Sequence, residues 1–165
     1  KKTENMRDYM RLQDAWLLSF FAKHTPRLIN DVSVSKSAVN RIEKVGKHYK
    51  ITLGKHKTSK SNGAIDFKLD PAVNSALKQF LPYVKAQTKH GYLLSTKRYG
   101  NKLTRKDMMQ LIRTTTKEHL GLNIGVQMIR VLKTTEHFKS IDESAKLRGE
   151  LAHGPGMQWK YVSRK

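Results

Sequence analysis

The chain is 165 residues long, contains no cysteine, and carries 33 Lys and Arg against 13 Asp and Glu, a formal charge of +20. That length suits a single domain with its own core. The missing cysteines exclude disulfides, thiolate metal sites and a cysteine nucleophile, and the charge calls for a polyanionic partner. Nucleic acid is favoured over an anionic membrane because the basic residues run along the whole chain instead of gathering on one amphipathic helix. No apolar run approaches the ~20 residues that span a bilayer, so no membrane partner is expected. The first residue is Lys1, not Met, and the chain is read as a fragment of a longer, intracellular protein.

In chain order, residues 1–8 read as a ragged lead-in. The stretch Tyr9–Ala22, with Met10, Ala15, Trp16, Leu18 and Phe20, predicts a buried helix. Pro26 biases Thr25 away from helical geometry and ends it. HYKITL (48–53) and GAIDFKL (63–69) alternate apolar and polar residues and predict two paired strands around a basic loop, GKHKTSKSN. Asp70 and Pro71 supply an N-cap and a first helical residue for the next helix. GYLLST (91–96) is a candidate third strand. LTRKDMMQLIRTTTKEHLG predicts an amphipathic helix capped by Thr104, burying Met108, Leu111 and Ile112 and closed by Gly121. Helices follow over 126–138, DESAKLRGELA and MQWKYVSR. The expectation is one α+β domain over 1–165, mostly helical, with a small antiparallel three-stranded sheet.

Metal and nucleotide chemistry find little footing. The seven histidines include no pair at helical zinc spacing, the scattered acids offer no carboxylate cluster for a two-metal site, and no P-loop occurs. No cofactor is expected. Phosphoryl transfer without a metal needs a nucleophile, cations to hold charge on the phosphorane, and an acid for the leaving oxygen. Arg27 after the Pro26 turn, Lys57 in the loop between strands, Arg130 on an apolar helix, and His153 and Tyr161 near the end provide those groups in that order.

That order resembles the catalytic domain of tyrosine recombinases, the phage-integrase family, over roughly residues 9–165. TPRLIND supplies Arg27 and Asp31, HKTSK supplies Lys57, QMIR supplies Gln127 and Arg130, LAH supplies His153, and Tyr161 follows eight positions later. Gln127 stands where the family has His or Lys. Its amide can donate to a phosphate oxygen but cannot exchange a proton. Ala152 stands for a common Gly, and TPR for Thr-Gly-Leu-Arg.

The resemblance implies a DNA breaking-rejoining enzyme, a site-specific recombinase or integrase of a viral or transposon mobile element. Tyr161 would attack the scissile phosphate and form a 3′-phosphotyrosyl intermediate without metal or ATP. Arg27 and Arg130 would clamp the non-bridging oxygens, His153 would donate to phosphate or assist Tyr161, and Lys57, on a flexible loop, would protonate the 5′ oxygen. Lys55 and Lys60 share that loop and are alternatives for the acid. With Arg105 and Lys106 they are also candidate DNA contacts. Double-stranded DNA is the expected partner, a tetramer the expected assembly, nucleus or nucleoid the expected location, and a missing N-terminal DNA-clamping domain the expected flank. A type IB topoisomerase or a telomere resolvase would share the chemistry. A basic DNA-binding module without catalysis would share only the charge.

Overall fold

A computed structural model describes residues 2–137 except 25, 26, 28, 89 and 97–99. Eight elements follow one another: α1 (Lys2–Lys23), β1 (Asn40–Val45), β2 (His48–Leu53), the short α2 (Ser59–Asn62), β3 (Ile65–Lys68), α3 (Pro71–Gln87), α4 (Arg105–Leu120) and α5 (Val126–His137). The class is α+β, about half helical, with one three-stranded antiparallel sheet ordered β1-β2-β3. The helices expected in DESAKLRGELA and MQWKYVSR, together with His153 and Tyr161, lie outside the described residues.

The core forms where α1 crosses α3. Tyr9, Trp16, Leu17, Phe20 and Phe21 recur at helical spacing and are buried with Val73, Leu77, Phe80, Leu81 and Val84 of α3. Trp16 stacks between Phe20 (5.4 Å) and Phe80 (6.2 Å), and Tyr9 meets Phe80 at 5.3 Å. Burying each such side chain contributes roughly 1.5–3 kcal/mol, which makes this aromatic seam the main source of cohesion. α4 closes over it with Met108, Leu111 and Ile112.

The helix ends follow from their sequences. The Asp70 side chain accepts from Ala72 N at 2.8 Å at the start of α3. Thr104 and Asp107 form a reciprocal capping box on α4, and hydrogen bonds from Thr104 hold the Asp107 carboxyl below the usual carboxylate range. Gly121 ends α4 at φ 67°, a left-handed conformation that costs glycine nothing.

Two buried polar clamps tie α1 to the rest. In the first, Gln13 Oε1 accepts from Ser95 N (2.8 Å) and Tyr9 Oη (3.0 Å), while Gln13 Nε2 donates to Ser95 O (3.0 Å). Ser95 Oγ also meets Tyr9 Oη (3.0 Å) and His90 Nε2 (2.9 Å). In the second, the buried Asp14 carboxylate accepts from Thr115 Oγ1 (2.8 Å) and His119 Nε2 (3.3 Å) of α4.

The structure corrects four expectations. α1 begins at Lys2, because the polar lead-in contains neither Gly nor Pro and continues the helix without needing an apolar face. GYLLST is no strand. Tyr92 and Ser95 make only isolated bridges, to Ser33 and Lys102. The third strand is instead β1, NRIEKV, paired to β2 in the register Ile42↔Ile51 around a turn at Gly46 (φ 61°). Its two apolar residues gave a weak alternation, and one of them, Val45, is 48% exposed. The lysine-bearing loop is structured. It folds into α2, and His56 Nε2 closes its neck on Gly63 O at 3.0 Å.

Candidate functional site

Three of the five residues singled out for catalysis lie among the described residues: Arg27, Lys57 and Arg130. Arg27 follows α1 by four residues. It is half-buried, and its Nη2 is shut off from solvent. Lys57 is exposed in the β2–β3 loop, between Leu53 and Ile65. Arg130 is half-buried on α5, and Gln127 is exposed in the first turn of the same helix.

The hydrogen bonds show how the three carrying segments are tethered. α5 reaches α1 through Lys133, whose Nζ donates to Ala22 O at 2.6 Å. A cation placed there also meets the negative end of the α1 dipole. Lys133 is three residues beyond Arg130, about one helical turn, and Ala22 is five residues before Arg27. The same end of α1 is held by His24, whose Nε2 accepts from Asp70 N at 3.0 Å while its ring packs between Phe20 and Phe67. An accepting Nε2 requires the proton on Nδ1.

On the other side, Asp31, four residues after Arg27, accepts from Asn40 Nδ2 at 2.7 Å. Asn40 is buried, and its amide grips both backbone groups of Lys55. Nδ2 donates to Lys55 O at 2.9 Å, and Oδ1 accepts from Lys55 N at 2.8 Å. Segment 22–31 is therefore bonded at one end to the helix that carries Arg130 and at the other to the root of the loop that carries Lys57. Composition and spacing had singled out neither Asn40 nor Lys133. Asn40 is a single polar residue at a strand start, and its partners lie 9 and 15 positions away in sequence.

The electrostatics leave the loop cationic. Lys50 takes up both acids of the sheet, meeting Glu43 Oε1 at 3.0 Å and Asp66 Oδ2 at 2.9 Å. Its ammonium holds the Glu43 and Asp66 carboxyls below the usual range, with Arg41 adding to Glu43 and Thr52 to Asp66. Among the described residues, no acid makes an ion pair with Lys55, Lys57 or Lys60, and all three are exposed. Arg105 and Lys106 are exposed at the amino end of α4, where the helix dipole adds to their positive charge. Such a surface can hold phosphates through charge-assisted hydrogen bonds and release their counterions.

Two other features lie elsewhere. A cleft of about 580 Å³ is lined by Asp8, Arg11, Leu12, Ala15, Leu18, Tyr83 and His119, none of them a candidate site residue of the sequence reading. Ligand atoms of Asp14, Glu118 and His119 lie within 4.8 Å of one another, a grouping across two helices that spacing along the chain does not reveal. Thr115 and His119 both bind Asp14, so the grouping first serves to fasten α4 to α1. Among the described residues, no helix is long and apolar enough to cross a membrane.

Fold and surface together define an α+β domain with a strongly basic loop and helix end. No family model, no curated protein and no solved structure matches the chain.

Proposed function

We propose that the chain is the catalytic domain of a tyrosine recombinase or integrase that breaks and rejoins double-stranded DNA through a 3′-phosphotyrosyl intermediate. The observation that carries the reading is the order Arg27, Lys57, Arg130, His153, Tyr161 in a chain of charge +20. It is supported by the tethering of the Arg27 segment to both the Arg130 helix and the Lys57 loop.

In this reading the Tyr161 phenolate oxygen bonds to phosphorus as the bond from phosphorus to the 5′ oxygen breaks. The phenol proton leaves to His153 or solvent, and Lys57 gives a proton to the departing 5′ oxygen. Arg27 and Arg130 hold the non-bridging oxygens, where negative charge grows, with forked donors. Gln127, one turn before Arg130, adds a neutral donor. The phosphotyrosyl bond keeps the energy of the broken phosphodiester, so rejoining is the same displacement in reverse and needs no nucleotide. Lys55, Lys60, Arg105 and Lys106 contact the backbone of the duplex. Four protomers on two duplexes, with a DNA-clamping domain preceding this one, complete the proposed assembly, which acts wherever the host keeps its DNA.

The test is covalent trapping. The chain is incubated with nicked suicide duplexes randomised around the nick. An SDS-resistant adduct that Tyr161→Phe abolishes is expected. DNA binding with no adduct would reduce the protein to a basic binding module.

A further inference from the structure

The β2–β3 loop is not held by its own sequence alone. Backbone pairing between β1 and β2 runs from Val45↔His48 to Asn40↔Leu53, and Gly54 N still reaches Val39 O at 3.3 Å. At the next residue, Lys55, the ladder is replaced by a side chain. The Asn40 carboxamide donates to Lys55 O and accepts from Lys55 N, imitating a strand partner at the point where the loop departs. Nδ2 donates a second time, to the Asp31 carboxylate, so both amide hydrogens and the carbonyl oxygen are engaged. The Asn40 backbone carbonyl completes the junction by accepting from Ser33 N at 3.0 Å. Beyond Lys55, His56 closes the loop neck on Gly63 O, and Thr58 Oγ1 meets His56 Nδ1 at 3.3 Å. Lys57 thus stands two residues from one pinned point and next to another.

We propose that Asn40 is the positioning residue for the lysine of this loop, and that through Asp31 it locks the place of that lysine to the segment that carries Arg27. The inference rests on the reading of Lys57 as the acid that protonates the leaving 5′ oxygen. Asn40 is buried and touches no substrate. It acts by setting where Lys55, and with it Lys57, emerges from the sheet. A carboxamide suits this place because it presents one acceptor and two donors in a plane. Aspartate would lose the donors and face Asp31 and Lys55 O with negative charge.

The experiment compares the wild-type chain with Asn40→Ala, Asn40→Asp, Lys57→Ala and Tyr161→Phe on trapping duplexes with either a 5′-oxygen or a 5′-sulfur leaving group. Sulfur leaves without a proton, so the difference between the two substrates isolates the acid. Both Asn40 variants are expected to lose ~100-fold or more in cleavage of the oxygen substrate, the size of a general-acid contribution. The sulfur substrate should stay close to wild type, as it should for Lys57→Ala. Equal slowing on both substrates, or no slowing on either, overturns the positioning role.

Amide hydrogen exchange provides the second readout and needs no DNA. Asn40→Ala should raise exchange at Lys55 and across 56–63 while Ile51 and Leu53 stay protected. Unchanged exchange in the loop overturns the clasp itself. If the wild-type chain forms no adduct at all, the recombinase reading has failed, and the exchange result alone then judges whether Asn40 holds the loop.

Discussion

Replacing Gln13 by leucine tests whether the clamp between α1 and the 90–96 segment is a main stabilising contact of the fold. The side chains of Gln13 and Ser95 are both fully buried. Leucine is about as bulky as glutamine and leaves no void, so the main perturbation is the loss of polar partners. Ser95 N and Ser95 O lose their partners on Gln13, at 2.8 Å and 3.0 Å, whereas Tyr9 Oη keeps Ser95 Oγ. Each buried backbone group left without a hydrogen bond costs about 1–3 kcal/mol. The two together give a loss of about 2–6 kcal/mol, a large share of the ~5–15 kcal/mol that a domain has. With a urea slope of about 2 kcal/mol/M, the unfolding midpoint should fall by about 1–3 M. Tyr9→Phe is the control. It removes one hydroxyl while leaving Gln13 bound to Ser95, and should cost only about 1 kcal/mol. Urea unfolding followed by tryptophan fluorescence reads both variants. A Gln13→Leu midpoint as high as that of Tyr9→Phe would refute the reasoning.

Three further outcomes are expected. Burial pushes the Tyr9 phenol up to about 12, partly opposed by the Ser95 hydroxyl. Because an unfolded phenol ionises near 10, this stabilisation is complete below about pH 10 and is lost as pH rises toward 12. Ultraviolet titration should show one tyrosine ionising late, and Tyr9→Phe should abolish it; six tyrosines titrating together would contradict the burial. Burial lowers the His90 pKa below its ordinary value, against a hydrogen bond to the Gly100 carbonyl oxygen that raises it. The unfolded imidazole therefore takes its proton first, near pH 6.5. Stability is complete above that pH and falls as pH drops through the folded value. His90→Gln should flatten this acid slope in urea unfolding, and an unchanged slope would assign it to other groups. At Gly54, a Cβ would sit 2.9 Å from Val39 Cγ1 and 3.0 Å from Val39 O. Gly54→Ala should cost about 1–3 kcal/mol, and adding Val39→Ala should recover only part of it, because the backbone oxygen stays. Full recovery in thermal melts would mean that the side chain alone made the clash.

The sequence was most legible where local chemistry is self-sufficient. Asp70–Pro71, Thr104 and Gly121 mark helix ends by hydrogen bonds that reach no further than a few residues, and all three lie where the caps were read, with Asp107 completing the box at Thr104. The pairing of HYKITL with the strand after the basic loop was likewise visible in its alternation. β1 was missed because Ile42 is its one buried apolar side chain. Its pairing is decided by the partner strand and the Gly46 turn more than by its own pattern. The buried face of α1 also differs from a count of apolar residues. Ala15 is exposed, while polar Gln13 and Asp14 are buried because partners 82 to 105 positions away satisfy them. The same distance hid the Asn40 junction. The candidate site residues were readable as an order along the chain, but what tethers the segments of Arg27, Lys57 and Arg130 is a set of cross-chain hydrogen bonds that no local pattern encodes.

The central claim is that one phenolic oxygen of this chain becomes covalently joined to DNA. Its most direct test is peptide mapping of the trapped adduct by mass spectrometry after nuclease digestion. The account expects a nucleotide on the peptide that contains Tyr161, linked through a 3′ phosphate, with metal chelators present throughout. A nucleotide linked to any other residue, or bound DNA with no linkage to protein, would contradict it.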